Sequence, residues 1–150
     1  WGFDNPEFIG KYKSKDIDQI WIDYFNAISL LAKSRKFDIV GHLDLIKVFK
    51  FMPKGDIKQI AHKALKQIKE SNMVIEVNAA GLRKPIAEPY PSRLLLELAF
   101  ELGIDITFSS DAHSIEQVGY GYEEAVKLAK EVGYEKCVFF RNRDKQLVKF

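Results

Sequence analysis

An aspartate and a histidine two residues apart, Asp111 and His113, follow an apolar, β-branched run, Ile106-Thr107-Phe108, through Ser109-Ser110. A carboxylate and an imidazole are donors suited to zinc, manganese or iron, and a strand that ends in a sharp turn can aim both at one ion. Alone, the pair is a weak signal and reads first as a helix N-cap and a surface histidine. Two further stretches repeat the construction. Phe37-Asp38-Ile39-Val40 ends in Gly41-His42-Leu43-Asp44, and Met73-Val74-Ile75-Glu76-Val77 ends in Asn78-Ala79-Ala80-Gly81. Coordinating or hydrogen-bonding groups thus sit at the C-terminal ends of three strand-like runs, the rim where parallel α/β folds place their chemistry.

The elements that must position these groups are readable from periodicity. Ile17, Ile20, Trp21, Tyr24, Phe25, Ile28, Leu31 and Ala32 recur at three-and-four spacing and predict a helix from Asp16 to Ser34, with Ser14 or Asp16 as its cap. Leu45 to Phe51 reads as a short helical turn stopped before Pro53, and Gly55-Asp56 opens a helix through Lys69. His62 falls on the polar face of that helix among lysines and reads as a solvent-exposed side chain. Asn78 to Pro91 is a long loop carrying Gly81, Arg83, Lys84, Pro85 and Pro89, of the kind that is usually functional or disordered. Helices are predicted after Pro91-Ser92, ended by Gly103, and from Gly121 to Glu131, ended by Gly133. Ile104–Phe108 and Lys136–Phe140 are the remaining strands. Trp1 to Lys13 reads as an irregular loop, and the basic tail Arg141 to Lys149 has no functional reading.

Strand, helix, strand, helix, strand, helix, strand is an α/β sequence with a parallel sheet, and four strands are too few for a closed barrel, which needs about eight. The 47% apolar and 29% charged content is ordinary for a globular domain, and 23 basic against 21 acidic residues are interspersed. Nothing in that balance demands nucleic acid or an anionic membrane as partner. The single Cys137, within an apolar run, reads as a buried core thiol in a reducing, cytoplasmic setting. No apolar run reaches the ~18 residues of a membrane helix.

Taken together, Gly41-His42-Leu43-Asp44, Glu76-Val77-Asn78 with Gly81-Leu82-Arg83, Tyr90-Pro91-Ser92, and Ser110-Asp111-Ala112-His113 resemble the C-terminal half of a PHP-family metal-dependent phosphoesterase, most closely its histidinol-phosphate phosphatase branch. The resemblance covers essentially the whole chain. It implies that residues 1–150 are the C-terminal part of a distorted (β/α)7, TIM-like barrel, about four βα units, and that the full-length protein holds two or three divalent ions drawn from zinc, iron and manganese. His42 matches a metal-binding histidine of the family, and Asp111 and His113 match further metal ligands and are the catalytic candidates. The family's His-x-His pair has no counterpart among His42, His62 and His113, so the chain holds only part of the ligand set.

A phosphate monoester is a dianion, so its hydrolysis needs charge neutralisation and a hydroxide available near neutral pH, which clustered metals supply. Arg83 and then Lys47 are the candidates for holding the phosphate oxygens. Glu76 and Asn78 alternate to one side of their strand, and with Asp44 they are assigned supporting roles. The reaction that the resemblance implies is histidinol phosphate plus water to histidinol and phosphate, a step of histidine biosynthesis, with a small phosphorylated substrate, and no nucleic acid or membrane is expected as partner. Two other readings compete: a PHP-type nuclease or proofreading phosphoesterase, disfavoured by the near-neutral charge, and a non-catalytic unit that self-associates through unpaired strand edges. The metal-site reading requires His42, Asp111 and His113 to meet at one mouth of the fold, within about 12 Å for ions ~3.5–4 Å apart.

Overall fold

The computed structural model describes residues 1–150. The opening stretch is ordered more than an irregular loop would be. Asn5 Oδ1 accepts from the Glu7 N–H and caps a 3-10 turn at Pro6–Phe8, followed by the short helix α1 (Gly10–Lys13). Its Tyr12 is buried, and the hydroxyl donates to the Phe3 carbonyl at 3.1 Å. Helix α2 (Ile17–Lys33) begins at Asp16, whose carboxylate accepts from the Asp18 and Gln19 N–H groups. That resolves the two candidate caps in favour of Asp16, because its side chain reaches the free N–H groups of the first turn. The α2 face of Ile20, Trp21, Phe25, Ile28 and Ala32 packs on helix α3 (Ile57–Glu70), which Asp56 caps in the same way. Helices α4 (Arg93–Glu101) and α5 (Tyr122–Val132) complete the layer, and a second apolar cluster joins Leu96, Ala125 and Ala129 to the sheet. His62 is exposed on α3.

The sheet has three parallel strands in the order β1 (Ile39–Val40), β2 (Val74–Asn78), β3 (Ile106–Ser109). Register pairs Val40 with Ile75, Glu76 with Thr107 and Asn78 with Ser109, so the three C-terminal ends lie side by side. Strand alternation sends Ile75 and Val77 into the helical core and Glu76 and Asn78 the opposite way. A parallel sheet and mixed α/β architecture were expected, but the fourth strand is a correction. Strand β4 (Lys136–Arg141) does not join the parallel sheet. It pairs antiparallel with β5 (Asp144–Lys149), which is the stretch read as a basic tail. Asn142 and Arg143 both adopt positive φ, 52° and 68°, the requirement of a two-residue hairpin turn whose twist matches its strands.

The hairpin's basic residues are used at the far end of the sheet. Arg143 Nη2 pairs with Asp38 at 2.8 Å and Lys145 Nζ with Asp105 at 2.7 Å, and these acids lead into β1 and β3. The turn end of the hairpin therefore lies at the N-terminal ends of β1 and β3, away from the rim of His42, Asn78 and Asp111, while Phe150 just past β5 packs edge-on against Phe108 of β3 at 4.9 Å. Cys137, on β4, is half-buried rather than fully enclosed, because a two-stranded hairpin has one open face. No helix is long and apolar enough to cross a membrane.

Candidate metal centre and phosphate cleft

At the end of β1 the chain turns sharply, with His42 in the left-handed region at φ 44°. A half-buried carboxylate holds that turn. Glu76 Oε2 accepts from the His42 backbone N–H at 3.0 Å and lies 2.9 Å from its ring Nδ1. Asn78 Nδ2 donates to the same oxygen at 2.9 Å, while Asn78 Oδ1 accepts from the Ala80 N–H and thereby fixes the amide's orientation. Asn78 Nδ2 also approaches His42 Nδ1 to 2.7 Å. Nδ1 cannot donate to Glu76 and accept from Asn78 at once. The proton belongs on Nδ1, since a carboxylate is the stronger acceptor and Asn78 already has one. That tautomer leaves Nε2 with a lone pair.

Nε2 faces Asp111. The Asp111 Oδ2 lies 3.6 Å away, a separation that two donors sharing one cation at about 2.1 Å can adopt. Asp111, at the end of β3, also takes a positive φ, 48°, and its N–H donates to Ser109 Oγ. Non-glycine residues in this region cost on the order of 1–3 kcal/mol unless their surroundings impose the conformation, and here both facing residues pay it. The charges are coupled in the same sense. Burial pushes Glu76 up, but the hydrogen bonds from His42 and Asn78 outweigh it and hold the carboxyl down to about 2. The hydrogen bond to Glu76, against burial, raises His42 above its usual value, with Asp111 and Asp4 contributing. A proton and a cation would compete for Nε2.

The donor chemistry fits a divalent metal in part. An imidazole aimed by a carboxylate behind it is the arrangement that orients metal-bound histidines. Yet no three His, Cys, Asp or Glu side chains converge on one point, so the chain presents a pair of donors, His42 and Asp111. His113 lines the same cleft without joining them. Its Nδ1 lies 2.8 Å from the Asp111 carbonyl and its N–H donates to Gln117 Oε1, which leaves Nε2 as the free ring nitrogen.

Lys47 requires correction. It was expected to hold phosphate, but its side chain is 1% exposed and its ammonium is fully engaged, 3.3 Å from Asp44, 3.0 Å from Glu88 and donating to the Pro89 carbonyl at 2.9 Å. The 3-10 turn Leu45–Lys47 points it inward, under the loop that folds back from Gly81. Only glycine permits that fold: a Cβ on Gly81 would lie 1.9 Å from the Glu88 carbonyl oxygen. Asp44, wholly buried, accepts from the Ser92 N–H at 2.8 Å and so ties the His42 loop to the start of α4. Burial pushes its carboxyl up, with Lys47 and Ser92 pulling the other way.

Arg83 is held differently. One guanidinium nitrogen donates to the Ser110 and Asp111 carbonyls at 2.8 and 3.2 Å, while Nη1 is buried without an acceptor. A cleft of ≈ 280 Å³ is lined by Arg83, Lys84, Asp111, His113 and Gln117. It adjoins a second, of ≈ 330 Å³, where His42, Asp111, His113, Lys84 and Asp4 meet an apolar wall that includes Leu45, Val48 and Phe49. Lys84, Asp4 and Tyr24 escaped the sequence reading. Tyr24, on the buried face of α2, donates its hydroxyl to the His42 carbonyl at 3.2 Å. Helical spacing marks it as core and carries no signal of that contact.

Known proteins resemble this chain in sequence and in fold. The PHP domain model matches residues 2–80 and the PHP-associated model residues 90–132. A Deinococcus radiodurans protein named "Probable histidinol-phosphatase" is 39% identical over 146 residues, covering 97% of this chain and 55% of its own length. Bacillus subtilis histidinol-phosphatase is 36% identical over 116 residues, 71% of this chain and 43% of its own length. The crystal structure of hisK from Listeria monocytogenes superposes with a TM-score of 0.63 at 26% identity, over 72% of this chain and 44% of that one. The chain spans about half the length of the curated relatives it matches. The PHP domain model spans just over half of the chain, and by this match the chain belongs to the PHP domain family.

Proposed function

We propose that this chain is part of a cytoplasmic, metal-dependent phosphomonoesterase that converts histidinol phosphate and water to histidinol and phosphate in histidine biosynthesis. The observation that carries the reading is the His42–Asp111 pair: two donors from different strand ends, 3.6 Å apart, with the imidazole aimed by Glu76. In this reading residues 1–150 form the C-terminal part of a distorted (β/α)7 barrel. The remaining strands and ligands come from polypeptide outside this chain, in keeping with its share of its relatives' length. Zinc, iron or manganese, two or three ions held by His42, Asp111, His113 and residues beyond the chain, would neutralise phosphate charge and acidify water.

The chain's own residues do the rest. Glu76 and Asn78 keep the His42 lone pair on Nε2. Arg83 fixes the Ser110–Asp111 backbone and brings its positive charge to the wall of the cleft that would take the phosphate. Lys84 replaces Lys47 as the second phosphate cation, since it lines both clefts. The P–O bond to the alcohol breaks, the water oxygen bonds to phosphorus, and the leaving alkoxide takes up a proton. The test is phosphate release from histidinol phosphate by the full-length, metal-loaded protein; none at any metal tried would end the substrate assignment.

A further inference from the structure

The two clefts that share Lys84, Asp111 and His113 differ in charge. The smaller holds Arg83 and Lys84; the larger, beyond Asp111, has Asp4 and the Leu45, Val48 and Phe49 wall. A phosphate belongs in the first, so what it is esterified to lies in the second. Asp4 is held there by its neighbours. Phe3 packs edge-on against Tyr24 at 5.4 Å and accepts the Tyr12 hydroxyl through its carbonyl, and Asn5 caps the following turn. Tyr24 in turn holds the His42 carbonyl, so the Asp4 segment and the candidate metal ligand share one support. The Asp4 carboxylate enters no ion pair within the chain.

We infer that Asp4 is a specificity-determining residue that receives the positively charged end of the substrate, making this a site for small phosphate esters that also carry an ammonium group. A carboxylate beside an apolar wall suits an organic cation, and a cleft of ≈ 330 Å³ is at the small-molecule end of ligand sites. An unpaired carboxylate also repels a second anionic group there, so bisphosphates and acidic phosphate esters are disfavoured. The inference rests on the phosphatase reading given above and deepens it.

Steady-state kinetics of the full-length, metal-loaded protein with histidinol phosphate and with phenyl phosphate, which has no amine, test it. The readout is the ratio of the two kcat/KM values. Asp4→Asn lowers that ratio about tenfold, as for one charge-assisted hydrogen bond, and Asp4→Lys lowers it further. Binding gives a second readout: histidinol, the amine product, inhibits Asp4→Asn about tenfold more weakly than wild type. A ratio and an inhibition constant both within about twofold of wild type overturn the proposal, as does a wild type without preference for the aminated ester. A wild type that hydrolyses neither ester overturns the phosphatase reading itself, and is distinguished by that from a failure of Asp4 alone.

Discussion

Replacing Glu76 by Gln removes one charge and keeps the shape, and its effect can be worked from the contacts. The carboxylate accepts from the His42 N–H, faces His42 Nδ1 and accepts from Asn78 Nδ2, with a side chain only 15% exposed. Its folded value of about 2, against a usual 4.5, favours the ionised form by about 3 kcal/mol at 1.36 kcal/mol per unit. Because the folded value is depressed, that stability is fully present above pH 4.5 and is lost as pH falls toward 2. Urea unfolding of wild type and Glu76→Gln, metal-free, at pH 6 and pH 3 reads it directly. The variant is less stable by about 2–3 kcal/mol at pH 6, and the gap narrows by roughly 1–2 kcal/mol at pH 3. A gap that is equal at the two pH values, or absent at pH 6, would refute the claim that this carboxylate orients His42 through its charge.

Other outcomes follow from the same contacts. Lys47→Met leaves Asp44 buried beside a lost cation and destabilises the chain by about 3–5 kcal/mol in urea unfolding, whereas a solvated phosphate-binding lysine would cost under about 0.5. Arg83→Ala frees the Ser110–Asp111 backbone and lowers kcat/KM of the full-length protein about 100-fold, the cost of misplacing reacting groups by about 1 Å; a change under twofold contradicts the assignment. In sedimentation velocity, residues 1–150 alone run as dimers or larger species, since β1 is an unpaired sheet edge whose Ile39, with Phe37 just before it, is exposed; a single monomer boundary contradicts that.

What the sequence reveals about this fold depends on how local the determining physics is. Helices α2 to α5 are legible because their apolar spacing, Asp caps and terminal glycines act within a few residues. The parallel sheet is legible for a similar reason: Val74 to Val77 and Ile106 to Phe108 are nearly continuous apolar runs with polar groups at their ends. Strand β5 is not. Only Leu147 and Val148 are apolar in it, and it exists because Asn142-Arg143 turns it onto β4 and because Arg143 and Lys145 find acids about 105 and 40 positions away in sequence. The burial of Lys47 is illegible for a related reason. One turn past His42 is near the site in sequence, but a loop admitted by Gly81 closes over it from 41 residues further on. The same non-locality hid Asp4 and Lys84, which reach the clefts only when both ends of the residue 2–85 segment fold against α2 and β3.

The central claim is that His42 and Asp111 share a cation at the C-terminal rim. Anomalous diffraction from crystals of the full-length protein grown with zinc or manganese measures it. The account predicts a peak within bonding distance of both His42 Nε2 and an Asp111 carboxylate oxygen, with Glu76 on the opposite ring nitrogen. Metal peaks that touch neither side chain would contradict it.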